Sequence, residues 1–208
     1  WILVRDWATT VFARRPATPA SRLAWLLIIG TLPAVVAGLF FEDFVEQLFT
    51  LPLWVGVFLL VTAALLTVSE RLGKCGKEIS DLSVWDALII GVAQAAAIAP
   101  GLSRSGATIA VGLFLGLRRP AAARFSFLLS VPVILGAGAL KLKDVFDGCL
   151  GAQPWLTLFA GFAAAAIVGY LCIRFFLRYL QRGKLYAFAV YCLLMGVAVI
   201  VASALGYL

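Results

Sequence analysis

The chain has 208 residues, of which 63% are hydrophobic and 13% charged, with a net charge of +7 and no histidine. Soluble domains run nearer to about 45–50% apolar and about 25% charged, so a mean hydropathy of +1.06 excludes a disordered chain, a disulfide scaffold and an ordinary cytosolic domain. The missing histidine excludes Ser-His-Asp catalysis and any other imidazole-based proton transfer within this chain.

The chain opens on Trp1, with mostly apolar residues to Val4, and is expected to be the cut end of a longer apolar segment. No signal peptide is visible. Arg5, Arg14, Arg15 and Arg22 precede the first predicted span, Leu23–Phe41, which contains Pro33. Glu42, Asp43 and Glu46 follow, with Glu42 and Glu46 spaced for one helical turn on a solvated loop face. Leu53–Val68 is the second span, anchored at the interface by Trp54. Glu70–Asp86 reads as a polar loop carrying Arg71, Lys74 and Lys77.

Beyond an interrupted apolar stretch, Ala87–Leu117, the basic residues Arg118, Arg119 and Arg124 lead into a third span, Phe125–Leu140, with Pro132 inside it. Lys141–Pro154 reads as a loop and Trp155–Ile173 as the fourth span. Arg174, Arg178, Arg182 and Lys184 form a basic cluster before the last span, Leu185–Leu205. Basic residues gather in these short connections, where they set orientation rather than bind nucleic acid. They place the N-terminal segment, 70–86, 118–124 and 174–184 in the cytoplasm, and 42–50, 141–154 and the C-terminus outside. Cys75, Cys149, Cys172 and Cys192 form no CxxC pair and read as small hydrophobes rather than zinc ligands.

With both flanks cytoplasmic, Ala87–Leu117 crosses the membrane zero or two times. It has 31 residues, and two full spans need about 40. Pro100-Gly101-Leu102-Ser103-Arg104-Ser105-Gly106 breaks it in the middle. The expectation is a re-entrant hairpin over 87–117, with half-helices Ala87–Ala99 and Ser105–Leu117 and a tip near the bilayer centre. Non-helical backbone at that depth must be buried in protein or line a wet cavity, and such interrupted segments mark membrane binding sites.

Arg104 decides the chemistry of the tip. An arginine at mid-membrane costs about 2.5–3.5 kcal/mol on the insertion scale, so it needs an anionic partner or a wet path. No acidic residue lies between Asp86 and Asp144. Gly101 and Gly106 permit close backbone approach, Ser103, Ser105 and Thr108 supply hydroxyls, and the second half-helix aims free N–H groups at the tip. The guanidinium fork matches phosphate oxygens. The site described is a phosphate cradle. It has the GxxxxG spacing of a P-loop, but Ala107 stands in place of the lysine and a membrane half-helix in place of the strand.

Pro100-Gly101-Leu102-Ser103-Arg104-Ser105-Gly106-Ala107-Thr108 resembles the PGxSRSGxT signature of bacterial undecaprenyl-diphosphate phosphatases, the bacitracin-resistance family. The flanks Gly91-Val92-Ala93-Gln94 and Phe125-Ser126-Phe127-Leu128-Leu129-Ser130-Val131-Pro132 agree with it. The resemblance implies one all-α, polytopic membrane domain over 1–208, with five full spans, one re-entrant hairpin and an inverted-repeat plan whose first hairpin is missing. It implies hydrolysis of undecaprenyl diphosphate to the monophosphate carrier lipid of cell-wall synthesis, at a site opening to the outer face of the bacterial plasma membrane. Arg104, Ser103 and Thr108 would be catalytic, and Gly101, Ser105, Gly106 and Gln94 would bind substrate. The partners implied are an isoprenoid diphosphate lipid, the bilayer and a second copy of the chain, with no nucleic acid.

The resemblance also implies a divalent cation, Mg or Ca, whose ligands are expected in an N-terminal hairpin with E-x-x-x-E and S-S-x-G-H motifs. This chain contains neither motif, no metal ligand is assigned within it, and the 208 residues alone are expected to be inactive. Two other readings share the same residues. One is a transporter or flippase of a phosphorylated lipid, since broken half-helices aimed at an anion serve transport too. The other is an inactive half-site relic.

Overall fold

The computed structural model describes residues 19–73, 76–146 and 155–206. Arg5, Arg14, Arg15, Lys74, Cys75, Cys149 and most of the 141–154 connection lie outside them. The described residues form eight α-helices and one 3-10 turn, with no strand among them. They are α1 Pro19–Phe40, α2 Glu42–Phe49, α3 Pro52–Leu72, the turn Ile79–Asp81, α4 Val84–Ala96, α5 Arg104–Phe114, α6 Arg119–Phe146, α7 Trp155–Tyr179 and α8 Tyr186–Ala204. Five of them, α1, α3, α6, α7 and α8, are long and apolar enough to cross a membrane. The protein is an all-α, polytopic membrane protein.

Helix ends depart from the hydropathy boundaries. Glu70–Leu72 belongs to α3 and Val84–Asp86 to α4, so the 70–86 loop is shorter than its polarity suggests. Likewise α6 starts at Arg119 and runs to Phe146, and α7 takes in Arg174 and Arg178. Hydropathy marks where a segment meets lipid, whereas backbone hydrogen bonding continues until a cap ends it. Ser83 starts α4 three residues before the apolar run: its hydroxyl accepts from the Asp86 amide at 3.1 Å and the Asp86 carboxylate accepts from the Ser83 amide at 2.9 Å. The acidic 42–49 segment, read as loop, is the short helix α2.

Two glycine contacts draw helices to backbone distance. A Cβ at Gly91 of α4 would collide with the Gly30 carbonyl of α1. Gly56 of α3 faces Gly196 of α8, where a Cβ would stand 3.0 Å from the Gly196 carbonyl oxygen. Small residues at helix interfaces serve this close approach in membranes, where apolar burial alone supplies little drive.

The buried core is lopsided. Leu82, Ile90, Ile109, Leu113, Leu117, Phe125 and Leu129 gather around the base of α4 and α5 and the start of α6, with Leu180 and Leu185 joining from the 180–185 turn. At the opposite end Leu39 and Phe40 of α1 and Ile134 and Leu135 of α6 are exposed. None of the apolar window of α7 is buried. This helix is held near its basic end, where Phe176 meets Phe127 edge-on at 5.6 Å and Phe188 at 4.9 Å between ring centroids.

Polar contacts stitch the basic end. The Arg22 guanidinium donates to the Leu82 carbonyl at 2.7 Å and also to that of Ser80. Lys77 stands 3.5 Å from Asp86, and Arg118 pairs with Glu78 at 2.6 Å. The buried Glu70 carboxylate accepts from Arg119 at 2.8 Å and, more distantly, from the Leu185 amide at 3.4 Å.

Candidate functional site: a half-helix tip at mid-span

Helices α4 and α5 form one hairpin, and it enters and leaves at the same end. The Gly76 and Lys77 amides donate to the Gly116 carbonyl at 2.9 and 2.8 Å, and the Arg118 amide donates to the Lys77 carbonyl at 3.0 Å. A positive φ at Gly116 ends α5 there. The half-helices have 13 and 11 residues, which at about 1.5 Å per residue reach some half of a bilayer core. Half-helices expected at Ala87–Ala99 and Ser105–Leu117 are therefore shifted to Val84–Ala96 and Arg104–Phe114 by their caps.

The tip, residues 97–103, rests against the middle of α3. Thr62 is the central residue of that helix, fully buried, and its hydroxyl oxygen accepts from the Ser103 amide at 3.1 Å. The same oxygen lies 3.0 Å from the Phe58 carbonyl and 3.4 Å from the Gly101 carbonyl, to either of which it can donate. Gly101 has φ 88°, and a Cβ there would collide with the Val55 carbonyl. Both facts demand glycine.

Ser103 caps α5: its hydroxyl oxygen accepts from the Gly106 amide at 3.1 Å. Its own O–H has no partner among the described residues and remains able to donate. The amides of Arg104 and Ser105 lie ahead of the first helical bond, Ala107 to Ser103 at 2.8 Å, so they are free donors. The Arg104 side chain is half-buried in the first turn of α5 and pairs with no acid among the described residues. Ser105 is likewise half-buried beside it.

Thr108 stands one turn deeper and is buried, its hydroxyl 2.8 Å from the Arg104 carbonyl and 2.6 Å from the Ser126 hydroxyl of α6. It ties α5 to α6 behind the tip rather than lining the opening. Gln94, on the inner face of α4, is 2% exposed, and neither amide atom has a hydrogen-bond partner. An unpaired buried amide costs about 1–3 kcal/mol, so this side chain gains from any polar guest. Sequence reasoning misses Thr62, and it includes Ser126 only as part of the Phe125–Pro132 flank, with no role for its hydroxyl. A hydroxyl inside an apolar run does not name its partner.

The described residues do not fit a divalent cation. No group of three or more His, Cys, Asp or Glu side chains could hold one among them, and the tip offers a guanidinium, amides and hydroxyls instead of carboxylates. Such a set suits an anion. On the side of the tip facing α1 and α2, an apolar cleft of about 310 Å³ is lined by Ala37, Phe41, Val45, Leu48, Val92, Ala96 and Ile98 among others.

Comparison with known proteins accords with this geometry. The family described as Bacitracin resistance protein BacA matches residues 1–198. A protein named undecaprenyl-diphosphatase from Methanothermobacter thermautotrophicus is 50% identical over 183 residues, covering 86% of this chain and 99% of its own length. Proteins of the same name from Halothermothrix orenii and Methanosphaera stadtmanae are 46% and 44% identical; the matches cover 86% and 89% of this chain and 69% and 66% of theirs. The chain belongs to the bacitracin resistance protein BacA family.

Proposed function

We propose that this protein is an undecaprenyl-diphosphatase: water adds to the terminal phosphorus of undecaprenyl diphosphate, the P–O–P bond breaks, and undecaprenyl phosphate and inorganic phosphate leave. The observation that carries the reading is Arg104, an arginine without an acidic partner among the described residues, held at a half-helix tip against the middle of a full span. Family membership supports it, as does the name its relatives carry.

The residues divide the work as follows. The Arg104 fork binds the diphosphate and offsets charge gathering on the leaving oxygen. The free amides of Arg104 and Ser105 and the Ser103 O–H donate to remaining phosphate oxygens. Gly101 and Gly106 let the tip seat against α3, since a Cβ would meet the Val55 carbonyl at the first and Thr62 at the second, and this seating presents the neighbouring amides to the head group. Thr108 positions the first turn of α5. Gln94 holds a water or a head-group oxygen. The cleft beside α1 and α2 takes the first isoprene units. The resemblance implies Mg or Ca, and the described residues do not fit that ion. With the basic end in the cytoplasm, the cleft and tip open outward, in the plasma membrane of a bacterium.

The test is phosphate release from undecaprenyl diphosphate by the chain in vesicles, alongside retention of that lipid. Release that disappears in Arg104→Ala is the expected result on this reading, and it overturns the expectation that the 208 residues alone are inactive. Retention without release would mean that the chain supplies the clamp alone. Neither release nor retention sinks the reading, and movement of intact diphosphate across the bilayer would favour a flippase.

A further inference from the structure

A second groove lies between α3 and α8, running from Leu60 toward the basic end. Its volume is about 490 Å³. Gly56 and Gly196 hold the two helices at backbone distance toward the other end, while Ala63, Ala64 and Ala189 leave space open here. Leu60, Val68 and Leu193 complete apolar walls. The groove ends at Arg71 and Tyr186. The Lys184 ammonium stands over the Tyr186 ring, 5.9 Å from its centroid. Arg71 is exposed in the last turn of α3 and pairs with no acid among the described residues. No acidic side chain lines the groove. Its nearest neighbour in sequence, Glu70, is already taken by Arg119 and the Leu185 amide.

We propose that this groove is a binding site for an anionic phospholipid of the cytoplasmic leaflet, with one acyl chain lying along α3 and α8 and the phosphate between Arg71 and Lys184. Charge complementarity chooses the occupant. An apolar slot alone would accept any acyl chain, but a mouth carrying two cations and no carboxylate selects a head group with net negative charge. The aromatic ring of Tyr186 sits where head group meets chain, the level that amphipathic rings favour. The site is independent of the hairpin chemistry.

The test is native mass spectrometry of the protein released from vesicles of equal phosphatidylglycerol and phosphatidylcholine. Retained phosphatidylglycerol should exceed phosphatidylcholine at least tenfold. The double variant Arg71→Ala, Lys184→Ala should lose that preference, and Arg182→Ala, a basic residue of the same turn outside the groove, should keep it. Ala64→Phe fills the slot from the exposed side of α3 and should cut retention of both lipids. Equal retention of the two lipids by the unaltered protein overturns the proposal. So does an Arg182→Ala loss as large as that of the double variant, or full retention in Ala64→Phe.

Discussion

The Ser103 amide donates to the Thr62 hydroxyl at 3.1 Å, joining the cap of a half-helix to the midpoint of a full span. Together with the seat of Gly101 against the Val55 carbonyl, this bond sets the depth of the tip along α3. Thr62→Val keeps the shape and removes the acceptor, leaving a part-buried N–H unpaired, near the lower end of the range of about 1–3 kcal/mol for a lost partner. We predict a fall in kcat for phosphate release with KM little changed, and recovery in Thr62→Ser. A Thr62→Val enzyme with normal kcat would show that the tip keeps its place without this brace.

Arg104→Ala should lower phosphate release by about 100- to 1,000-fold, the range for removing a preorganised donor from developing negative charge. Arg104→Lys should recover only part, because an ammonium lacks the planar fork. The side chain is half-buried and makes no ion pair among the described residues, so thermal stability should be nearly unaltered. Equal melting of both variants with the parent, together with lost turnover, is the pattern to look for.

Gly91→Ala sets a methyl group against the Gly30 carbonyl, whereas Gly38→Ala and Gly136→Ala meet nothing within 4 Å. The first should destabilise by about 1–3 kcal/mol, the range for overpacking, and the other two should be neutral or slightly stabilising. Thermal unfolding in one detergent decides the point. Unfolding of Gly91→Ala at the parent temperature would mean that α1 and α4 slide apart at little cost.

Glu70→Ala removes the carboxylate shared by Arg119 and the Leu185 amide. Breaking a buried ion pair costs about 3–5 kcal/mol, and the partial exposure of Arg119 places this one near the lower end. Loss of expression or a lowered melting temperature is expected. Glu70→Gln keeps one acceptor and should be milder.

Ala96→Trp narrows the cleft between α1, α2 and the tip. KM should rise several-fold for undecaprenyl diphosphate and for a short isoprenoid diphosphate alike, since both carry the first isoprene units, while competition by inorganic diphosphate stays the same. Weakened binding of inorganic diphosphate as well would place the obstruction at the head group.

Much of this was legible in the chain because membranes impose coarse rules. Pro100 and Gly101 interrupt an apolar run too short for two crossings, and the basic residues on either side then require a hairpin; the Gly76–Gly116 and Lys77–Arg118 bonds close it at its base. Arg104 stood out because charge at that depth is expensive. The brace from Thr62 was not legible, since one hydroxyl in an apolar span fits many long-range partners. Nor was α2: Phe44, Val45, Leu48 and Phe49 do fall at helical spacing, but eight residues between two apolar spans also read as a solvated connection. The role of Ser103 was half legible. Its hydroxyl was read as a phosphate ligand, and the structure employs the oxygen as a helix cap while leaving the proton available.

The packing asymmetry between the two ends has a practical side. Around the basic end the protein supplies its own neighbours, but along α7 and the far halves of α1 and α6 the described residues leave apolar side chains exposed, a face for hydrocarbon chains to cover. Lipid is thus a building material there, and detergent a substitute of different length and stiffness. Purification should leave the melting curve governed by the protein-lined end and the turnover governed by whatever fills the other. Sample quality for this protein is better judged by relipidated turnover than by a sharp unfolding transition.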